Sequence, residues 1–201
     1  MTAVMRPASE RREWSATGWA VAEQPADERA LVLAAQRGER EAFSQLVRTH
    51  ERRAYAVARA IVINHEDAED AVQDAFLHAY RALHRFLPDQ AFGAWLHRIV
   101  ANAALDITRR RKVRDADELP ETVASPFRDP AESGELRQRL ESALATLPAR
   151  QRAVIVLHDV EGYRHAEIGR MLGIPEGTAR SDLHYARGTL RGVLGSVRSA
   201  L

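Results

Sequence analysis

The fold is decided by residues 165–183, which read HAEIGRMLGIPEGTARSDL. Ile168 and Leu172 lie one helical turn apart and are predicted to face a hydrophobic core. Gly169 between them is small enough for a second helix to approach closely. Gly173 provides the positive φ at which a chain leaves a helix. These features predict a helix that ends in a tight turn.

A second helix is predicted directly after this turn. Pro175 and Glu176 suit its first turn, the proline through its fixed φ and the glutamate through its charge at the positive end of the helix dipole. Ala179 and Leu183 return to the core, so the predicted motif is a helix-turn-helix. The second helix leaves these residues outside: Thr178, Arg180, Ser181, His184, Tyr185, Arg187 and Arg191.

The outward residues are typical of a DNA-recognition helix. Arg180 can contact guanine through two hydrogen bonds, and Arg187 and Arg191 are placed for phosphate contacts. The alternative is a helical hairpin that binds no DNA, and the exposed arginines favour DNA. Asp182 is an unusual acid here. We expect it to accept from a cytosine amino group or to pair with an arginine, and Asp182→Arg to increase non-specific DNA affinity.

Further helices are predicted on both sides of a proline-containing acidic segment. Three amphipathic stripes, at residues 43–61, 68–83 and 92–107, predict a three-helix bundle. A stripe from Leu136 to Leu147 and the apolar run 153–157 predict two helices before the helix-turn-helix. The sequence therefore predicts an all-α protein with two small helical domains. The expected divisions are a disordered arm (1–27), a first domain (28–112), a flexible acidic linker (113–133) and a second domain (134–201).

Charge alternates along this arrangement. Residues 96–114 hold six bases and one acid, residues 115–135 hold seven acids and one base, and residues 150–201 hold eight arginines and five acids. Two basic modules on an acidic connector are typical of a protein that contacts nucleic acid twice. Since few apolar contacts should cross such a connector, cutting it is expected to leave two separately folded fragments.

Composition excludes several classes of protein. The chain has 201 residues, 45% of them apolar, and no cysteine, which excludes disulfides, zinc ribbons and cysteine nucleophiles. No apolar run approaches the roughly 18 residues needed to span a bilayer. The first 28 residues lack the apolar core of a signal peptide, so a cytoplasmic protein is expected.

An acidic segment, residues 65–74, carries five carboxylates in ten residues. Glu66, Asp70 and Asp74 are four residues apart and share one helical face. This face is either solvated or a dock for a basic partner, and composition alone does not separate the two. A helical hydrolase using these acids is disfavoured because the sequence shows no nucleophile–base pair.

Several blocks together resemble a known family. They are residues 67–76 (DAEDAVQDAF), 80–83 (YRAL), 92–102 (FGAWLHRIVAN), 147–152 (LPARQR), 162–163 (GY) and 177–181 (GTARS). In this order, over about residues 31–194, the chain resembles an alternative RNA polymerase sigma factor of the extracytoplasmic-function (ECF) subfamily. A stand-alone helix-turn-helix regulator is the alternative, but no dimer surface or effector pocket is visible in the sequence.

The resemblance implies specific roles for residues of both domains. The first domain would bind the clamp of core RNA polymerase and the promoter −10 element, and the second the −35 element and the polymerase flap. The clamp-binding residues would be Asp67, Glu69, Asp70, Gln73, Asp74 and Phe76. The −10 residues would be Phe86, Asp89, Phe92, Trp95, Arg98, Asn102 and Arg109. The −35 residues would be the outward set of the recognition helix.

The resemblance also implies what surrounds the chain. No catalysis and no cofactor are expected, and an anti-sigma protein is an expected partner. The acidic linker would thread toward the polymerase active centre and exit channel. Residues 86–92 would hold an unstacked −10 base. Trp95 is spaced with Phe92 and Ile99, which favours a core position first and a wedge that melts DNA second.

Overall fold

The structure, a computed structural model, describes residues 13–14, 20–21, 26–117 and 134–198. Eight α-helices lie within these ranges: α1 (Ala26–Gln36), α2 (Arg40–Val62), α3 (His65–Ala82), α4 (Phe92–Asp117), α5 (Gly134–Ala145), α6 (Ala149–Ile155), α7 (His165–Leu172) and α8 (Glu176–Arg198). A 3-10 turn spans Leu83–Arg85, and a π-helical turn spans Val156–Val160. The predicted all-α class with two helical domains is confirmed.

The predicted disordered arm contains one short pair of strands. Glu13–Trp14 pairs antiparallel with Ala20–Val21. Two residues on each side form too small a ladder to be stable alone. The remaining residues of the arm up to 25 lie outside the described residues.

The amino-terminal domain has four helices, which corrects the prediction of three. The missed helix, α1, buries Val32 and Ala35 against the bundle. Its last residue, Gln36, donates from Nε2 to the carbonyl oxygens of Leu83 and Phe86, at 2.9 and 2.8 Å. Helix α1 therefore satisfies backbone acceptors at the end of α3.

The carboxyl-terminal domain contains the predicted helix-turn-helix, formed by α7 and α8. Gly173 ends α7 in the left-handed region at φ 67°. A Cβ on Gly169 would lie 2.8 Å from the carbonyl oxygen of Ile174. Both glycines are therefore required where the sequence predicts them. Ile168, Leu172, Ala179 and Leu183 are buried, also as predicted.

The two domains pack against each other and share one continuous core. The Nε of Arg152 in α6 donates to the carbonyl oxygen of Ile61 in α2 at 2.6 Å. These contacts correct the expectation that little crosses between the domains. Helix α4 also extends to Asp117, so residues 113–117 of the predicted linker are helical. Residues 118–133, the rest of that linker, lie outside the described residues.

Among the described helices, none combines the length and apolar character that crossing a membrane requires.

Candidate nucleic-acid and protein interfaces

Helix α8 presents the polar face that the sequence predicts for a recognition helix. Thr178 is half-buried, and the other six residues of the predicted set are exposed. The exposed residues are Arg180, Ser181, His184, Tyr185, Arg187 and Arg191. Tyr185 is 63% exposed, the most open aromatic side chain that this face offers. The Nη2 of Arg180 lies 2.7 Å from Oε1 of Glu176, one turn earlier, and both side chains are well solvated. Such an exposed pair exchanges readily with another acceptor.

Asp182 does not belong to this face. Its residue is 5% exposed, and its carboxylate accepts from Nε of Arg150 at 2.6 Å and from Nη2 at 3.3 Å. The hydrogen bond with Asp182 raises the pKa of Arg150. Of the two expectations for this acid, pairing with an arginine is observed. The premise that Asp182 approaches DNA is corrected, because its carboxylate instead ties α8 to α6.

A second acid, Asp159 in the π-helical turn, holds Arg187. The guanidinium donates to both carboxylate oxygens, from Nε at 3.1 Å and from Nη2. Burial alone would raise the pKa of Asp159, but the hydrogen bonds from Arg187 and His158 outweigh it and lower this pKa. Arg187 is therefore oriented before any ligand arrives, with half of its side chain still exposed.

His158 also contacts the first helix of the helix-turn-helix. Its ring centroid lies 4.8 Å from that of His165, the first residue of α7. Burial lowers the pKa of His165, and the nearby charges of His158 and Arg180 lower it further. The flank of the recognition helix thus carries two histidines and two arginines, a composition suited to phosphate.

Helix α3 carries the acidic surface of the amino-terminal domain. Glu69, Asp70, Gln73 and Asp74 are exposed, and Phe76 is half-buried. Asp67 is mostly covered, and it accepts from Nη1 of Arg111 in α4 at 2.8 Å. The four exposed residues therefore form the available part of this surface.

Apolar side chains that sequence reasoning missed continue this surface toward the end of α3. Leu77 is 47% exposed and Tyr80 is 49% exposed. The Tyr80 ring packs edge-on against Phe43, with ring centroids 4.9 Å apart. An acidic face continued by exposed leucine and tyrosine is typical of a protein-binding surface.

The loop before α4 is built on a buried aromatic cluster. Phe86 is 4% exposed and Phe92 is fully buried, with their rings in an edge-to-face contact at 5.7 Å. Trp95 is half-buried and packs on both rings, which fits its expected core position. Phe86 and Phe92 are corrected from DNA-contacting residues to supports of the loop, because neither offers an exposed face. Leu87 at 53% exposure is the apolar residue that this loop presents.

The remaining residues predicted for the −10 element are polar and have different surroundings. Asp89 is exposed and pairs with Arg29 at 3.2 Å. Arg98 and Arg109 are exposed on α4, and Arg109 pairs with Asp106 at 2.7 Å. Asn102 is half-buried, and its Nδ2 donates to the carbonyl oxygen of Met171 in the other domain at 2.8 Å. Of this predicted set, Asp89, Arg98 and Arg109 are directly accessible.

The residues that sequence reasoning missed act by holding predicted ones in place. Arg150 is hydrogen-bonded to Asp182, Asp159 to Arg187, and Arg111 to Asp67. Each pair joins residues 28 to 44 positions apart. Helical periodicity carries no information about pairs so distant, so no local signal identifies them.

Comparison with known proteins decides the family. The family model for Sigma-70 region 2 matches residues 46–114, and that for Sigma-70 region 4 matches residues 137–190. The chain is 40% identical to the ECF RNA polymerase sigma factor SigM of Mycobacterium tuberculosis, over 85% of this chain and 86% of SigM. This chain belongs to the ECF RNA polymerase sigma factors.

Further relatives of this sigma factor belong to the same family. It is 36% identical to the ECF RNA polymerase sigma factor SigE of Mycolicibacterium smegmatis, covering 89% of this chain and 68% of that protein. It is 32% identical to the ECF RNA polymerase sigma-E factor of Escherichia coli, covering 83% and 93%. The resemblance noted in the sequence is confirmed, and the match extends over both helical domains.

Two solved structures share the fold of this sigma factor. One is CnrH in complex with the cytosolic domain of CnrY, with a TM-score of 0.63 and 32% identity over 85% of this chain and 98% of that chain. The other is RpoE of Bartonella quintana in complex with the anti-sigma factor NepR, with a TM-score of 0.66 and 28% identity over 76% and 96%.

Proposed function

We propose that this sigma factor binds core RNA polymerase through α3 and directs it to promoters by reading the −10 element from α4 and the −35 element from α8. The observation that carries this proposal is the presence of both surfaces on a chain of this family, each with exposed groups of the required chemistry. Promoter choice is then a property of the holoenzyme, and the chain itself supplies recognition.

The polymerase-binding surface is proposed to be the exposed acids of α3 with the apolar residues beside them. Asp70 and Asp74 are one turn apart and point into solvent, so a basic groove on the polymerase clamp can pair with both. Leu77 and Tyr80 supply apolar area beside that charge. The acidic charges would orient the two proteins and raise their association rate. Leu77 and Tyr80 would supply the contact that becomes buried in the complex.

Charge reversal on α3 tests this surface. Asp70→Arg with Asp74→Arg should abolish binding to core polymerase, while helical content stays unchanged because exposed substitutions cost about 0.5 kcal/mol or less. The matched control is Glu41→Arg with Glu51→Arg, two exposed acids of α2. If the α3 double variant co-purifies with core polymerase as the parent does, this helix is a solvated face.

The −35 surface is proposed to be the outward side of α8. Arg180 and Ser181 lie in its second turn, where a recognition helix reaches base edges, and His184 and Tyr185 follow one turn later. On binding, Arg180 would leave Glu176 for guanine O6 and N7, a contact that contributes about 1–3 kcal/mol of discrimination. Arg191 lies farther along and is proposed to contact phosphate.

Selection of randomised −35 sequences by the holoenzyme tests this surface. Arg180→Ala should lose preference at one or two positions. Arg191 lies on the same helix and serves as the control. Arg191→Ala should weaken binding to all DNA sequences alike and leave the selected −35 sequence unchanged. An Arg180→Ala holoenzyme that selects the parental sequence would show that α8 reads the DNA with other residues.

The expected partners and location follow from this function. Core polymerase and genomic DNA share the bacterial cytoplasm, so we place the sigma factor there. One solved relative is held by an anti-sigma factor, and we propose a regulator of that kind for this chain. Purification from cells with the regulator still bound, followed by its release, would identify that regulator.

A further inference from the structure

Helix α1 holds the loop before α4 (residues 86–91) at the point where that loop begins. The 3-10 turn ends at Phe86, whose backbone is extended, so the chain leaves the helix there. The Nε2 of Gln36 donates to the carbonyl oxygens of Leu83 and Phe86, at 2.9 and 2.8 Å. Carbonyl groups near a helix end depend on partners from outside the helix. One side-chain amide therefore joins the last turn of the helix to the first residue of the loop.

The same helix contacts the loop again farther along. Nη2 of Arg29, near the start of α1, lies 3.2 Å from Oδ1 of Asp89. Both side chains are more than half exposed, so this pair alone adds little stability. Asp89 belongs to the turn of the loop, where the backbone N–H of Gln90 donates to the carbonyl oxygen of Leu87 at 2.9 Å. Helix α1 therefore lies along the loop from its first residue to its turn.

A third contact links α1 to the end of the loop through α2. Nε2 of His50 forms a hydrogen bond with a carboxylate oxygen of Glu28, and both side chains are largely buried. The His50 ring packs against Phe92, with ring centroids 5.3 Å apart, and a Cβ on Gly93 would lie 3.2 Å from its Cε1. Because Phe92 and Gly93 open α4, the loop is confined at both of its ends.

The loop has a buried base and an open turn. Phe86 and Ala91 at its two ends are buried, whereas Leu87 is 53% exposed and the Asp89 side chain is 85% exposed. A recognition group is presented accurately only when the residues that support it are themselves held in place. The contacts at the base of the loop therefore decide the direction in which Leu87 and Asp89 point.

We propose that Gln36 is a positioning residue for recognition of the −10 element. Through its two hydrogen bonds at the start of the loop, it sets the direction in which residues 87–90 meet the promoter strand, and it makes no contact with DNA itself. The proposal rests on the proposed function, because it assumes that this end of the amino-terminal domain reads −10 DNA. Helix α1 is then part of the structure that determines promoter choice.

Replacing the amide of Gln36 tests this role. Gln36→Met removes both hydrogen bonds, keeps the length of the side chain and retains a good helix former. Gln36 is half-buried, and Val32 and Ala35 still anchor α1, so the domain should keep its fold. Gln36→Asn is one methylene shorter and cannot reach the same two oxygens, so it provides the same test if the methionine variant does not fold. The matched control is Gln45→Met, which removes an exposed glutamine amide from α2.

Hydrogen exchange of the full chain is the first readout, and it requires no DNA. The amides of residues 84–91 should exchange about fivefold faster in Gln36→Met, the factor expected when the net stabilisation of one hydrogen bond is lost. The amides of α8 should exchange as in the parent, and those of Gln45→Met should do so throughout residues 84–91. Unchanged exchange of residues 84–91 in Gln36→Met would overturn the proposal, because Gln36 would then not hold the loop.

Selection of randomised −10 sequences by the holoenzyme is the second readout. Gln36→Met should lose about fivefold of the base preference at one or two −10 positions and keep the parental −35 sequence and the parental affinity for core polymerase. A purely structural role would not separate these properties, since partial unfolding of the domain would weaken core binding as well. A folded Gln36→Met holoenzyme that selects the parental −10 sequence would refute the positioning role.

The parent holoenzyme separates this proposal from the proposed function. A parent that selects no −10 sequence at all would refute both. A parent that selects one, together with a Gln36→Met variant whose loop exchanges faster and whose −10 preference is unchanged, would refute the role of Gln36 alone.

Discussion

The pair formed by Asp182 and Arg150 offers a sharp test of how the recognition helix is held. Asp182→Asn keeps the size of the side chain and removes the charge that accepts from Arg150 at 2.6 and 3.3 Å. Because Asp182 faces α6 rather than DNA, the substitution should weaken the packing of α8 against α6. It should not change which bases α8 recognises.

The magnitude follows from the exposure of the two partners. Hydrogen bonds to charged groups contribute about 1.5–3 kcal/mol when they are buried. Exposed ion pairs contribute about 0–1 kcal/mol. The Asp182 side chain is 7% exposed but that of Arg150 is 53% exposed, so we expect an intermediate loss. Asp182→Asn should therefore lower the free energy of unfolding by about 1–2 kcal/mol.

Two measurements check this prediction. Denaturant unfolding followed by circular dichroism gives the stability loss, and a cycle with Arg150→Gln should show a coupling of about 0.5 kcal/mol or more between the two positions. Selection of −35 sequences by the holoenzyme should return the parental sequence. The reasoning is refuted if Asp182→Asn changes the selected sequence while the free energy of unfolding stays the same.

Three further predictions concern the helix-turn-helix. Gly169→Ala should lower the free energy of unfolding by about 1–3 kcal/mol, because the new Cβ would lie 2.8 Å from the Ile174 carbonyl oxygen; an unchanged denaturation midpoint would contradict this. Arg187→Ala should weaken binding to all −35 duplexes alike and reduce the slope of log affinity against log salt by about 1, and an unchanged slope would exclude a phosphate contact. The pKa of His165 is lowered, which means that the folded chain disfavours the protonated imidazole. The free energy of unfolding is therefore unaffected by this group above about pH 6.5 and decreases as the pH falls and the group takes up a proton. Unfolding measured between pH 7.5 and 5.5 should therefore show a smaller loss in His165→Gln than in the parent, and equal losses would contradict the assignment.

The sequence was sufficient for features that depend on local chemistry. The helix-turn-helix follows from two glycines and an apolar repeat within 19 residues, and the structure shows each of them in the predicted role. The exposed face of α8 follows from the same periodicity. The acidic side of α3 was visible as a run of carboxylates, and family resemblance was needed to assign it to a partner.

The remaining features depend on contacts between distant residues. Asp182 reads as a surface acid because its partner is 32 positions away. Arg152 reads as a surface base, yet its guanidinium is buried between the domains. Phe86 and Phe92 flank a polar loop, so their burial against each other depends on how the loop folds back. Helix α1 was missed because its core-facing residues are few, and Val32 is its largest fully buried one.

Run-off transcription tests the central claim most directly. Purified sigma factor and core RNA polymerase are combined with fragments of the organism's genome, and transcript start sites are mapped. We predict discrete start sites that depend on the added sigma factor and share one sequence near −10 and another near −35. The absence of any start site beyond those of core polymerase alone, with a folded chain that still binds core polymerase, would contradict the proposed promoter-directing role.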